Sequence, residues 1–236
     1  MNILITMAGA GSRFKKAGDA QPKYMIEVKG KTLFEWSMES LAAFRDEYHI
    51  FVVRKADGAE GFIREMCDKL VIREHEILEI EELTRGQAET AMLAAGCWHE
   101  DEPLYVYNID TYVEQGELLP EVIKGDGFIP CFEASGEHWS FVNLDETGKA
   151  VEVREKKRIS NHCSIGAYYF SSCMLYADLY RKLYDEQGHL EKGERYIAPL
   201  YNTLIEQGGA VYIQEIPPGK VHVLGTPEEV IEFEKM

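Results

Sequence analysis

The chain has 236 residues, 45% of them hydrophobic, with 41 Asp/Glu against 25 Lys/Arg and a formal net charge of −16. That acidity argues against a nucleic-acid-coating protein, which needs a broad basic face. No apolar run approaches the roughly 18 residues of a membrane helix, and no partner membrane is expected. The N-terminus has neither the basic region nor the small-residue cleavage site of a secretory leader. Five scattered cysteines (67, 97, 131, 163, 173) contain no Cys-x-x-Cys. They support neither a disulfide framework nor a thiolate zinc site, and they suit a reducing cytoplasm.

Asn2–Thr6 reads as a buried strand that breaks into Ala8-Gly9-Ala10-Gly11-Ser12. Arg13, Lys15, Lys16 and Lys23 follow. Residues 1–31 hold six Lys/Arg and two acids, a positive balance on an acidic chain. Glycine lets backbone N–H groups approach an anion without a Cβ between them. An anionic small ligand is the simplest reason for such a loop. Tyr24–Val28 reads as extended after Pro22, which disfavours helix at the preceding residue. Thr32-Leu-Phe-Glu35 fits a capping box, and Leu33, Trp36, Leu41 and Phe44 give the following helix an apolar face. Tyr48–Arg54 is a buried strand, Gly61–Leu70 a helix, His75–Ile80 a strand, Gln87–Trp98 a small-residue helix and Leu104–Ile109 a strand ending at Asp110. This alternation predicts a parallel sheet with helices on both faces. Ligands then bind outside the carboxyl ends of the strands, where the Gly9–Lys23 loop and Asp110 both fall.

The second half changes character. Gly127–Glu133, Trp139–Asp145, Ala150–Glu155 and Ser164–Phe170 read as strands of an antiparallel insertion that covers the crevice. Ser172–Tyr184 and Glu194–Glu206 read as helices and Ala210–Ile216 as a strand. Thr226-Pro227-Glu228-Glu229 opens a final helix. There is no internal repeat.

Each motif has a plain reading beside a chemical one. The Gly9-x-Gly11 turn lacks the third glycine of a dinucleotide fingerprint and the Gly-Lys-Ser/Thr of a P-loop; alone it is as readily an ordinary turn. Arg13 and Lys23 favour phosphate, through a bidentate fork and a compact charge. Asp110 either caps the next turn or holds Mg²⁺, which takes one or two carboxylates plus substrate phosphates. Thr84 and Gln87 have capping-box spacing; the other reading sets Gly86 and Gln87 over a nucleobase. Glu155-Lys156-Lys157 is either a solvated charge run or part of a site, since it ends a strand. The seven histidines show no metal spacing.

Together these segments resemble the signature of sugar-1-phosphate nucleotidyltransferases. The likeness is carried by Met7-Ala-Gly-Ala-Gly-Ser-Arg13, Pro22-Lys23, Gly30-Lys-Thr-Leu33, Gly86-Gln-Ala-Glu89, Asp110, Glu155-Lys156, Ser160-Asn161, Gly166-x-Tyr168-x-Phe170, Glu194-Arg-Tyr-Ile197 and Gly225-Thr-Pro-Glu228. It spans most of the chain in the family's order and is most similar to the small capsule-cluster type. It implies one domain over residues 1–236, with a nucleotide-binding half (1–112) and an acceptor-binding half (113–236). The implied fold is a Rossmann-like, mostly parallel central sheet with helices on both faces and an antiparallel acceptor-side insertion.

The roles that the resemblance implies are these. Arg13 clamps the β- and γ-phosphates and Lys23 stabilises the α-phosphate. Met7, Ala8, Gly9, Ala10, Gly11, Ser12, Gly86 and Gln87 contact the nucleotide. Asp110 binds Mg²⁺. Glu155, Lys156, Asn161 and Glu194 hold the acceptor. Relatives often carry a second metal carboxylate two residues before the Gly-Thr segment; Val223 stands there instead. The implied partners are a nucleoside triphosphate, CTP first, and a phosphorylated sugar or other small phosphate for capsule or surface polysaccharide. The aromatic content permits a homodimer. Two rivals remain. One is a glycosyltransferase on a similar sheet, which the absence of Asp-x-Asp disfavours. The other is a nucleotide-binding regulatory domain without catalysis.

Overall fold

Successive residues of the central strands enter opposite cores in the computed structural model, which describes residues 1–236. Leu4, Ile50, Val52, Leu104 and Val106 face one core of 31 buried residues; Ile3, Ile5, Phe51, Val53, Tyr105 and Tyr107 face another of 29. Side chains on a strand point to opposite faces with a period of two, so one central sheet is packed on both sides.

The sheet strands are β1 (Asn2–Thr6), β2 (Tyr48–Arg54), β3 (His75–Ile80), β4 (Leu104–Asn108), β5 (Gly127–Glu133), β6 (Ser140–Leu144), β7 (Ala150–Glu155), β8 (His162–Ser164), β9 (Ala167–Phe170) and β10 (Val211–Ile216). The helices are α1 (Ser12–Ala17), α2 (Leu33–Ser40), α3 (Glu60–Leu70), α4 (Gln87–Leu93), α5 (Cys173–Tyr180), α6 (Leu200–Glu206) and α7 (Pro227–Lys235). The sheet runs β3–β2–β1–β4–β9–β5–β8–β6–β7, with β10 pairing β5. β1 to β4 are mutually parallel. The chain steps from β1 outward through β2 and β3, then returns to β4 on the other side of β1. That reversal is a topological switch point, where open α/β sheets bind ligands. Thr6 and Asn108 are register partners at this rim.

The antiparallel strands of the second half extend the same sheet sideways rather than folding over it as a cover. The expected single strand Ser164–Phe170 is kinked into β8 and β9. Both halves pair with β5, while β9 also pairs β4 and β8 also pairs β6. Gly166 makes the kink. Its φ is +86°, and a Cβ there would lie 2.0 Å from Asn108 Nδ2, so only glycine fits.

Other boundaries moved for local reasons. Tyr24–Val28 begins as a 3₁₀ turn (Lys23–Met25) before a two-residue strand. The expected helix Gln87–Trp98 tightens to 3₁₀ after Leu93. The expected helix Ser172–Tyr184 starts at a Ser172 cap and widens to π turns over Arg181–Glu186. Of Glu194–Glu206, only α6 is helical. The backbone of Arg195 is engaged elsewhere: its N–H donates to Arg85 O at 2.7 Å and its carbonyl accepts from Ala88 N–H at 3.0 Å. The capping box of α2 forms as expected. Thr32 Oγ1 accepts from Glu35 N–H, and Glu35 accepts from Thr32 N–H at 2.9 Å.

A third, small cluster of Phe14, Val28, Leu33, Leu224 and Phe233 ties α1 to α7. It holds the basic loop of the N-terminus against the Gly225 segment.

Candidate active site

The carboxyl ends of β1 and β4 open into a cleft of about 450 Å³ lined by Thr6–Ala10, Lys23, Leu83, Thr84, Gly86, Gln87, Thr90, Asn108–Asp110 and Glu194. A second compartment of about 220 Å³ adjoins it, lined by Gly11–Phe14, Lys23, Asp110 and Gly225. Lys23 and Asp110 belong to both compartments. Lys23 Nζ lies 2.5 Å from Asp110 Oδ2, with both side chains partly exposed. Arg13, on the first turn of α1, is exposed on the wall of the smaller compartment. One end of the groove is thus lined by cations and glycines, and a single carboxylate marks its middle.

The glycine bend has the room it needs. A Cβ on Gly9 would meet nothing within 4 Å, so its backbone is free to approach a ligand. Gly11 takes φ +61° and starts α1.

The loop after β3 is held by a different device from the capping box suggested by its spacing. The N-cap of α4 is Gly86, not Thr84. Thr84 Oγ1 instead bonds Thr90 Oγ1 at 2.6 Å. Gln87 turns into the cleft, where its Nε2 donates to Thr6 Oγ1 at 3.0 Å. Gly86 has φ +137°, and a Cβ would lie 2.5 Å from the carbonyl oxygen of Arg195. That close approach seats the Glu194–Ile197 segment on the loop and brings Glu194 to the cleft wall.

A polar chain runs from Glu194 toward the antiparallel strands. Tyr196 O–H donates to Glu194 Oε1 at 2.8 Å, and Lys156 Nζ donates to the Tyr196 oxygen. Burial, then the Glu194 carboxylate, push the Tyr196 phenol up, so it remains a donor. Lys156 sits 4.4 Å from the centre of the Tyr196 ring and takes φ +52°, a conformation that a non-glycine residue holds at some cost.

The structure therefore brings together Met7–Arg13, Lys23, Gly86, Gln87, Asp110 and Glu194, with Lys156 joined through Tyr196. Two expected acceptor residues lie elsewhere. Glu155 is buried and accepts from Ser140 Oγ; burial pushes its carboxyl up, opposed by Ser140 and by Lys156. It faces a separate groove with Leu183, His189 and Asn202. Asn161 is exposed in a groove of about 610 Å³ with Glu133, His162 and Glu215, and its Nδ2 lies 3.2 Å from Glu133 Oε1.

Sequence reasoning missed Thr6, Leu83, Thr90, Asn108 and Tyr196. Thr6 and Asn108 were marked only by standing at strand ends. Asn108 lines the cleft, and its Oδ1 is buried without a hydrogen-bond partner, against Gly166.

A divalent ion suits this donor set. Asp110 provides an oxygen ligand of the kind Mg²⁺ prefers. Nearby, Glu229 Oε2 is also buried with no hydrogen-bond partner. An orphaned carboxylate oxygen beside Asp110 is what a hard cation would satisfy.

A parallel sheet with a cation-lined groove at its switch point defines an α/β protein whose cleft is suited to an anion. The comparisons narrow that class. The nucleoside-diphosphate-sugar pyrophosphorylase of Vibrio cholerae RC9 is 37% identical, with a TM-score of 0.92 over 99% of this chain and 100% of that one. The inositol-1-phosphate CTP transferase of T. maritima shares the fold at 16% identity, with a TM-score of 0.76 over 97% of this chain and 90% of that one. The bifunctional protein GlmU of Methanocaldococcus jannaschii is 25% identical over 241 residues, covering all of this chain and 54% of that protein. The chain spans between half and two thirds of the length of the curated relatives it matches. No protein-family model matches it. The chain belongs to the family of sugar-1-phosphate nucleotidyltransferases.

Proposed function

We propose that this protein transfers a nucleoside monophosphate, CMP first, from a triphosphate to a phosphorylated sugar or other small phosphate, with release of pyrophosphate. The reading is carried by one observation: Lys23 and Asp110 stand where the two compartments join, with Arg13 on the far side and Glu194 on the near side. A phosphate oxygen of the acceptor attacks the α-phosphorus in line, and the bond to the β-phosphate oxygen breaks. The acceptor is already anionic, so no general base is needed. The obstacle is repulsion between two anions and the spread of charge in the transition state. Pre-placed cations and fixed geometry answer both.

In this account Lys23 stabilises charge at the α-phosphate, and Arg13 neutralises the departing pyrophosphate. The Gly9–Gly11 backbone lets the triphosphate lie close. Gly86 and Gln87 flank the base, and Glu194, with Lys156 behind it, orients the acceptor. Asp110 would hold Mg²⁺, which supplies charge neutralisation on phosphate oxygens. Preference for CTP rests on the motif pattern of the capsule-cluster type, as does a role in making precursors of capsule or surface polysaccharide; a cytoplasmic setting rests on the scattered cysteines.

A pyrophosphate-release screen tests this reading. Four triphosphates are paired with phosphorylated sugars, polyols, choline and amino-acid derivatives. Release that needs both CTP and one acceptor supports it. Tight triphosphate binding with no release across the panel would favour a regulatory nucleotide-binding role.

A further inference from the structure

α7 opens on two residues set for a capping box. Thr226 Oγ1 accepts from Glu229 N–H at 3.2 Å. A glutamate at that third position ordinarily completes the box by accepting from the N-cap N–H, as Glu35 does at the start of α2. Glu229 does not. Its Oε2 is buried and has no hydrogen-bond partner. A buried carboxylate oxygen left unpaired costs free energy that the box would have relieved. Its position therefore calls for another partner.

The neighbouring glycine shows where that partner would sit. A Cβ on Gly225 would lie 3.3 Å from Asp110 Oδ2 and 3.6 Å from Glu229 Oε2. The oxygens of the two carboxylates are the nearest atoms to that spot, and Lys23 Nζ holds the same Asp110 Oδ2 at 2.5 Å. The Leu224 N–H donates to the Asp110 carbonyl at 2.8 Å and holds the two segments together. Val223, at the position of the second carboxylate in many relatives, brings no oxygen donor; it pairs with Thr111 in a short antiparallel ladder. The positive end of α7 opposes a cation at this spot, so a full carboxylate charge is needed to favour one.

We propose that Glu229 supplies the second carboxylate for the divalent ion, in place of the side chain missing at Val223. Asp110, just beyond β4, and Glu229, in the first turn of α7, would then together hold the metal. This inference rests on the reading of Asp110 as a metal holder, and the test separates the two.

Mn²⁺ alone is titrated into the 236-residue chain, with free ion read by electron spin resonance. Wild type, Asp110→Asn, Glu229→Gln and Thr226→Ala are compared, and each is melted in chelator. Loss of affinity by about tenfold or more in both Asp110→Asn and Glu229→Gln, with none in Thr226→Ala, is the expected result. Thr226→Ala loosens the same helix end without touching a carboxylate. Wild-type affinity in Glu229→Gln, with loss in Asp110→Asn, overturns the Glu229 assignment and leaves Asp110 in place. An equal loss in Thr226→Ala overturns it as well, because the effect would then be structural. No binding by wild type, or equal binding by all four, overturns the Asp110 reading together with the inference.

Discussion

Lys23 Nζ meets Asp110 Oδ2 at 2.5 Å across 87 positions of sequence. The pair joins the loop after β1 to the end of β4, the two strands that flank the switch point. Partly exposed ion pairs contribute little stability, typically under about 1 kcal/mol. Its value lies in placing a cation and a carboxylate at one point of a groove. Lys23→Ala is therefore expected to lower turnover by about a hundredfold or more while the melting temperature barely moves. Steady-state kinetics beside a thermal melt check this; turnover near wild type removes Lys23 from the mechanism.

Asp110→Asn retains the shape of the side chain and removes its charge. Activity is expected to collapse, and wild-type activity to vanish in chelator and return with Mg²⁺. A chelator-resistant enzyme would show that Asp110 serves the fold or the Lys23 pair alone.

Gly86→Ala tests how the acceptor side is built. The substitution forces a Cβ to within 2.5 Å of the Arg195 carbonyl oxygen at φ +137°. The loop and the Glu194 segment must then part. Strain of about 1–3 kcal/mol is expected in the denaturant midpoint, with KM for the acceptor rising more than KM for the triphosphate. Equal changes in both would mean that the contact does not position Glu194.

Stability should fall in mild acid through His49. The side chain is fully buried on β2, and burial pushes its imidazole down to about 4. An unfolded histidine titrates near 6.5. Between those values the unfolded chain binds a proton that the folded chain refuses, so stability is lost as pH falls from about 6.5 to about 4. The full loss from this residue is on the order of 3 kcal/mol. Urea midpoints measured across that range should slope less steeply in His49→Gln than in wild type; identical slopes assign the acid sensitivity to other groups.

The first half of the chain was readable in the sequence because its elements follow local rules. β1, β2 and β3 carry β-branched and aromatic runs bounded by breakers, and their limits match the expected ones residue for residue. The Thr32–Glu35 and Thr226 caps are local too. The second half depended on long-range contacts that periodicity does not encode. Residues 194–197 look helical on pattern, yet the backbone of Arg195 bonds to Arg85 and Ala88, more than a hundred positions away, while Glu194 pairs with Glu191. Gly166 bends a strand because Asn108 occupies the space of its Cβ. Asn161 is drawn to Glu133, away from the cleft, although its motif neighbours suggested otherwise. Glu229 gave no signal beyond its capping position.

The fate of each phosphorus atom tests nucleotidyl transfer most directly. Triphosphate labelled with ³²P at the α-position or at the γ-position is incubated with the acceptor found in the screen. The α-label should move into a product joined to the acceptor, and the γ-label should leave as pyrophosphate, with both events suppressed in Lys23→Ala. Release of the γ-label as orthophosphate, or an α-label that never reaches the acceptor, would contradict nucleotidyl transfer at this cleft.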